Sequence, residues 1–368
     1  MRCWIEIDLD VFRANIINIK KSLPIGTKYL SVVKANAYGC GAPELVKKSW
    51  DLVDAFAVAN LTEAMEIKNH SKEAKIIILS TPLPDEIEAI VHSEFIPFVS
   101  TDEELERIIL MAKAMDKIAE VHLKIDTGMG RIGFWHENNV DRLRRLCSDG
   151  HVKIGGIATH LSHVDKDENY TSFQRKNFRA WLKNFSWPMK NLMIHESSSF
   201  AVKNCISDGV CNGVRVGAMQ YGIASEVHDE ELLRSGIRPI FSLKSKVALI
   251  KNVPAGVKIS YDGMYETTES AKIGVLSCGY ADGIPVDFTN TGRCIINGHS
   301  CPVIGRVAMD QTMIKLNDCP SAKVGDEVLW LGGDAANGIT IGEFSRAGRK
   351  ILRESLCALS SRVTRIYK

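Results

Sequence analysis

Eight short, continuously apolar runs recur through the first 235 residues, and most of the stretches between them read as helices. The runs are YLSVVK (29–34), AFAVAN (55–60), KIIILS (75–80), FIPFVS (95–100), EVHLKID (120–126), KIGGIATHL (153–161), LMIHES (192–197) and GVRVGAM (213–219). A strand that is apolar on both faces must be covered on both faces, which argues for parallel βαβ units. Eight such units in about 200 residues favour a closed (β/α)8 barrel over an open doubly wound sheet. No Gly-x-Gly-x-x-Gly follows the first run, which weakens a dinucleotide-binding reading.

Helix starts are legible between the runs. Pro43 suits a first-turn position, Thr62 an N-cap, and Thr101 with Glu104 a capping box. An earlier segment, RCWIEIDL, alternates like a half-buried strand, and Leu9, Phe12, Ile16 and Ile19 then repeat at helical spacing. Beyond residue 236 the pattern changes to strands punctuated by turns such as PAG and NG, with one helix near IGEFSRAGRKIL. The expected organisation is a barrel over 1–235 and a mainly β domain over 236–368, with the extreme N-terminal strand able to pack with the latter.

At 368 residues the chain exceeds the size at which one core usually stops growing, so two domains are natural. A net charge of +2 makes no case for nucleic acid or an anionic membrane. The opening carries acidic residues where a secretory signal needs an apolar core, and no run approaches the ~18 residues that span a bilayer. Ten cysteines without a Cys-x-x-Cys pair or zinc spacing read as reduced packing thiols, so a cytoplasmic protein without a metal site is expected.

In a barrel of this kind, chemistry collects at the C-terminal strand ends, which share one mouth. Lys34 ends the first strand, Asp126 and Arg131 follow the fifth, His160 the sixth, His195 and Ser197 to Ser199 the seventh, and Arg215 lies on the eighth. Each alone has a bland reading: a solvated lysine, hydrogen-bonded core-edge histidines, a structural ion pair. Their convergence is what points to a site. A lysine in a poorly solvated mouth is biased toward its neutral amine, which can form a Schiff base with a carbonyl. Pyridoxal phosphate is the commonest carbonyl cofactor held that way. Its phosphate needs backbone N–H groups and hydroxyls, which RVGAMQYG and the serines after the seventh strand can provide.

Six ordered motifs together resemble the bacterial alanine racemases, fold type III pyridoxal-phosphate enzymes. They are VVKANAYGCGA, LKIDTGMGRIGF, VRVGAMQYG, ISYDGMY, GYADG and VIGRVAMDQ, spread over the whole chain. The resemblance implies that Lys34 is the Schiff-base lysine and the base on the D face. Tyr261 would be the base on the L face, contributed by the partner subunit of a homodimer. It further implies phosphate contacts from Tyr38, Ser199, Gly217 and Ala218. Arg215 would face the pyridine nitrogen, with His160 near the ring, and Arg131 would touch the cofactor phenolic oxygen. Lys124 is the position often carbamylated, Arg131 and Tyr280 would line the substrate, and Met309 with Asp310 would line the substrate carboxylate site of the neighbouring subunit.

The chemistry agrees with that assignment. Racemisation requires an acid and a base on opposite faces of a planar carbanion, and two groups of ordinary pKa about 10 serve if their surroundings lower both. Arginine cannot release its proton, so opposite the pyridine nitrogen it keeps that nitrogen unprotonated and limits side reactions. The expected function is interconversion of L- and D-alanine for cell-wall peptidoglycan. Serine or broader amino-acid racemisation is the alternative, and a non-catalytic pyridoxal-phosphate protein a more distant one.

The match departs at named positions. Cys40 stands where the family often has histidine, Ser198 where it commonly has asparagine, and GYADGIPVDF lacks an arginine that often follows. Arg353 stands where a tyrosine usually lies near the phosphate, and an arginine there can bind phosphate bidentately.

Overall fold

The computed structural model describes residues 1–164, 166–197, 209–223, 234–333 and 337–368. Strands β1 (Cys3–Ile7), β2 (Lys28–Val32), β3 (Ala55–Val58), β4 (Ile76–Ile78), β5 (Ile96–Val99), β6 (Ala119–Asp126), β7 (Phe134–Trp135), β8 (Val152–Ala158), β9 (Met193–Ser197) and β10 (Gly213–Val216) follow in chain order. Eight of them form a parallel sheet in the order β5-β4-β3-β2-β10-β9-β8-β6, and pairing of β5 with β6 closes it into a barrel. The short β7 pairs in parallel with the end of β6.

Alternation along each strand sorts the side chains. Leu30, Ala55, Ile77, Ile96, Phe98 and Ala158 form one apolar cluster, which places them inside the barrel. Val121, Leu123 and Ile125 of β6 face the helical layer, packing with Leu105, Ile108 and Ile109 of helix Asp102–Ala114. Phe178, Trp181, Leu182 and Phe185 of helix Glu168–Phe185 join them, at the 3–4 residue spacing of one helix face. Burial of each such side chain stabilises by about 1.5–3 kcal/mol. The residues of β6 between them, His122, Lys124 and Asp126, are left to the barrel interior.

One cap differs from expectation. Helix Leu61–His70 is capped by Asn60, not Thr62: Asn60 Oδ1 accepts from the Glu63 N–H at 3.0 Å. Both residue types cap well, and the two-residue difference follows from where β3 releases the chain. Thr101 does cap its helix, accepting from the Glu104 N–H at 3.2 Å. The Glu104 carboxylate accepts from the Ser100 N–H at 2.8 Å and also interacts with the Thr101 backbone, as a capping box does.

The later strands are β11 (Phe241–Val253), β12 (Lys258–Ile259), β13 (Tyr265–Glu266), β14 (Ala271–Leu276), β15 (Arg293–Ile296), β16 (His299–Pro302), β17 (Thr312–Lys315), β18 (Glu327–Leu331) and β19 (Thr364–Tyr367). They build a mainly β domain around the order β16-β15-β18-β11-β1-β19, with β14 joining β11 to β17. The N-terminal β1 runs antiparallel to β11 and parallel to β19. The β15–β16 hairpin turns on Asn297 and Gly298, both at positive φ, as a two-residue hairpin loop requires. Where one helix was expected near residue 341 there are two, Ile341–Ala347 and Leu352–Cys357, separated by Arg349 in the left-handed region.

By its contacts the chain divides into two compact units. One comprises Met1–Ala14, Tyr38–Gly41 and Tyr221–Lys368, the other Asn15–Ala37 and Ala42–Gln220. Among the described residues no helix is long and apolar enough to cross a membrane.

Candidate active site

Within the barrel unit, β10 sends Arg215 inward, buried, and two neighbouring segments, the end of β8 and β9, hold it. Its Nη1 donates to His195 Nδ1 (2.8 Å) and His195 O (3.0 Å). Its Nη2 donates to Thr159 O (2.7 Å), His160 Nδ1 (3.2 Å) and Glu196 O (3.3 Å). Arginine has no acceptor, so both histidines must accept at Nδ1 and carry their proton on Nε2. His195 Nε2 lies 3.0 Å from His122 Nδ1 and donates to it, which fixes the tautomer of His122 as well. Burial and then Arg215 hold His160 down at about 3 and His195 well below its ordinary value. Burial likewise takes His122 to about 3. All three are therefore neutral at physiological pH. His122 escaped sequence reasoning, although the alternation His-x-Lys-x-Asp in EVHLKID is the signal that could have found it.

The same interior face of β6 carries Lys124, whose Nζ donates to Ile125 O at 2.9 Å. Burial, and then Arg215, bring its pKa down to about 7 although Asp126 pulls the other way. Burial opposes ionisation of Asp126 too, yet its pKa is lowered because four backbone N–H groups point at it. Those of Gly128, Met129 and Gly130 reach Oδ1, and that of Arg131 reaches Oδ2 at 3.0 Å. The carboxylate thus folds the loop that presents Arg131, whose side chain is exposed. Arg215, Lys124, Arg131 and Lys34 all press electrostatically on His160. Asp126 is already occupied by amides, so the mouth is a cationic place suited to an anion.

Lys34 lies two residues past the end of β2, one residue beyond Val33 rather than on the strand as expected, and opens a left-handed turn. Ala35, Asn36 and Ala37 lie at φ 54, 51 and 52, and Tyr38 follows at φ 56. Each such L-residue costs about 1–2 kcal/mol, so this turn persists only because its surroundings hold it. Glu63 bridges the N–H groups of Ala35 and Ala59, each at 2.8 Å, and Asn36 Oδ1 accepts from Ala42 N–H at 2.8 Å. Glu63 is a second residue that sequence reasoning missed. Gly217 and Ala218 follow β10, and the turn Ala218–Tyr221 carries Gln220. Ser198 and Ser199 lie outside the described residues.

In the other unit, Tyr38 is buried, and burial pushes its phenol up to about 12 against the opposing pull of Arg353 on helix Leu352–Cys357. The two glycines after Tyr38 are steric necessities. A Cβ on Gly39 would stand 2.5 Å from Leu356 O, and one on Gly41 would overlap the Tyr367 hydroxyl. Cys40 between them is buried, in keeping with a packing role. Tyr261 sits 66% exposed on the turn between β12 and β13. That turn is held by an ion pair between Asp262 and Arg306 and by Ser260 Oγ donating to Arg306 O at 2.6 Å. Tyr280 and Met309 are exposed side by side, joined through Tyr280 N–H to Ala308 O and Ala281 N–H to Met309 O, both 3.0 Å. Asp310 does not stand alone: Arg362 pairs with it at 2.8 Å and with Asp282 at 3.2 Å.

Comparison with known proteins matches both halves of the chain. The family model for the alanine racemase N-terminal domain matches residues 7–225, and that for the alanine racemase C-terminal domain matches residues 240–367. An alanine racemase of Halothermothrix orenii is 33% identical, over 99% of this chain and 96% of its own. The alanine racemase structure from Clostridium difficile 630 superposes with a TM-score of 0.93 at 33% identity, covering 100% of this chain and 96% of that one. The Bacillus anthracis alanine racemase with bound L-Ala-P gives 0.89 at 29% identity, over 100% and 95%. Lysine at a barrel strand end, a buried arginine clamping two neutral histidines, and a β domain presenting an exposed tyrosine all fall within those matched regions. The chain belongs to the alanine racemase family of isomerases.

Proposed function

We propose that the chain interconverts L- and D-alanine with pyridoxal phosphate, Lys34 acting on one face of the substrate Cα and the partner subunit's Tyr261 on the other. The observation that carries this reading is the mouth in which buried Arg215 bonds a neutral His160 while Lys124, Arg131 and Lys34 act on it electrostatically. Such a mouth fits the donor needs of a phosphorylated, anionic cofactor. When bound, pyridoxal phosphate provides a carbonyl for the amino group and an electron sink for the negative charge left at Cα.

The chain's own residues do the rest. The Lys34 amine and the Tyr261 phenol each hold or take one proton at Cα. Arg215, fixed by five acceptors and unable to deprotonate, would present a donor to the ring nitrogen. His160, its Nδ1 occupied by Arg215, keeps an Nε2–H to hold the phenol oxygen in line. Gly217 and Ala218 N–H groups would hold the phosphate, and the family resemblance adds Tyr38, Ser199 and Arg353 to its contacts. Arg131 and Tyr280 would line the substrate, with the partner subunit's Met309 and the partner subunit's Asp310 at its carboxylate. Lys124, when carbamylated, gives Arg131 an anionic partner.

The exposure of Tyr261 (66%), Met309 (52%) and Tyr280 (43%) on the β unit supports a homodimer that shares its active sites. A cytoplasmic enzyme feeding D-alanine to peptidoglycan completes the reading, and it takes in serine racemisation if Arg353 widens the side-chain site. Two measurements test it. The visible band of bound cofactor should be present in the wild type and lost in Lys34→Ala. Optical inversion of single enantiomers should be fastest for alanine. Absence of the band from the wild type removes the cofactor reading, and faster inversion of serine replaces the substrate.

A further inference from the structure

Leu30 belongs to the apolar cluster inside the barrel, so its neighbours on β2, Tyr29 and Ser31, face outward. Both are fully buried, as is Gln220, and the three side chains meet. Gln220 Oε1 accepts from Ser31 Oγ at 3.0 Å and from Tyr29 OH at 3.3 Å. Its Nε2 donates to Val32 O at 3.0 Å, and its backbone carbonyl accepts from Asn15 Nδ2 at 3.1 Å. Buried polar groups cost free energy unless each is matched, and here each bond has one acceptable direction. An apolar side chain would fill this position with no such demands.

The network joins two segments that the chemistry needs at a fixed separation. Val32 lies two residues before Lys34. Gln220 lies on the turn that begins at Ala218, and its own N–H donates to Gly217 O at 3.1 Å. Pyridoxal phosphate is rigid between its carbonyl carbon and its ring, and its phosphate hangs on a short arm. The distance from the lysine to the loop N–H groups therefore decides whether both ends can be held at once.

We propose that Gln220 is a positioning residue that sets the span between Lys34 and the N–H groups of Gly217 and Ala218, and so gives the site its preference for phosphorylated over unphosphorylated pyridoxal. It rests on the reading above in which Lys34 holds the carbonyl end and this loop the phosphate. The Gln220 amide touches neither end and acts through backbone placement alone.

The test compares cofactor-stripped wild type and Gln220→Met, each titrated with pyridoxal phosphate and separately with pyridoxal, following the visible band of bound cofactor. The variant should bind pyridoxal phosphate at least about tenfold more weakly while pyridoxal affinity stays within about twofold, so that the ratio of the two collapses. A merely structural role would weaken both alike. Equal weakening of both ligands, or no change in either, overturns the assignment. Should Gln220→Met fail to fold, the pair Tyr29→Phe and Ser31→Ala, which removes both donors to Oε1, is expected to lower the same ratio, and an unchanged ratio there is equally fatal. A wild type that takes up neither ligand brings down the cofactor reading itself, a different failure from a wild type that binds both and a variant that matches it.

Discussion

Replacement of Lys124 by methionine tests the electrostatics of the barrel mouth. Lys124 is buried, and its pKa falls from the ordinary 10.5 to about 7. The sign follows from linkage. Between those two values the unfolded chain holds a proton that the folded chain has lost, so stability rises with pH across that window. Below about 7 the whole penalty is present, and above 10.5 it has gone. The gap corresponds to roughly 4–5 kcal/mol. Methionine keeps most of the volume, gives up one hydrogen bond to Ile125 O, and removes the penalty. Lys124→Met should therefore be more stable than wild type near pH 7 by roughly 3 kcal/mol, allowing about 1 kcal/mol for the lost bond. The advantage should disappear by pH 10. Urea unfolding at pH 6.5, 8 and 10 in carbonate-free buffer measures it. A difference between the proteins that does not vary with pH would refute the buried-amine argument. The same depressed pKa leaves neutral amine at pH 7, able to add carbon dioxide and release a proton. Bicarbonate should then stabilise the wild type, with a matching mass increase, and leave Lys124→Met unchanged.

The remaining predictions concern proton transfer and the loop bearing Arg131. Tyr261→Phe should retain cofactor but slow solvent-deuterium exchange at Cα of L-alanine by a factor of about 100 or more, with exchange from D-alanine much less affected. Equal slowing of both enantiomers would show that the phenol is not the L-face group. Asp126→Asn exchanges an acceptor of the Arg131 N–H for a competing donor and removes charge from the other three bonds, costing about 2–4 kcal/mol. Hydrogen exchange should accelerate at Gly128 to Arg131. In the wild type the contribution of Asp126 should be complete above the ordinary carboxylate pKa and be lost as pH falls through its lowered folded value, so an acid-insensitive loop would contradict the assignment.

What the sequence disclosed and what it withheld divide along a physical line. The barrel strands were legible because being buried on both faces writes itself as an uninterrupted apolar run, and Lys34, His160, His195 and Arg215 stood out by interrupting or ending such runs. The turn after Lys34 was not legible. Lys-Ala-Asn-Ala-Tyr has ordinary right-handed propensities, and its left-handed path is held from a distance, by Glu63 reaching back to the Ala35 N–H. The N-cap at Asn60 was missed for a related reason, since choosing between two good capping residues depends on where a neighbouring strand ends. Ser31 and Gln220 were invisible for a subtler one. A serine within an apolar run and a glutamine in a turn are each unremarkable alone, and only the parallel pairing of β2 with β10 brings them within 3.0 Å. Local composition can thus announce where chemistry is held, whereas the spacing between its parts is written in pairs of residues some 190 positions apart, 31 and 220, whose meaning exists only once the barrel has closed.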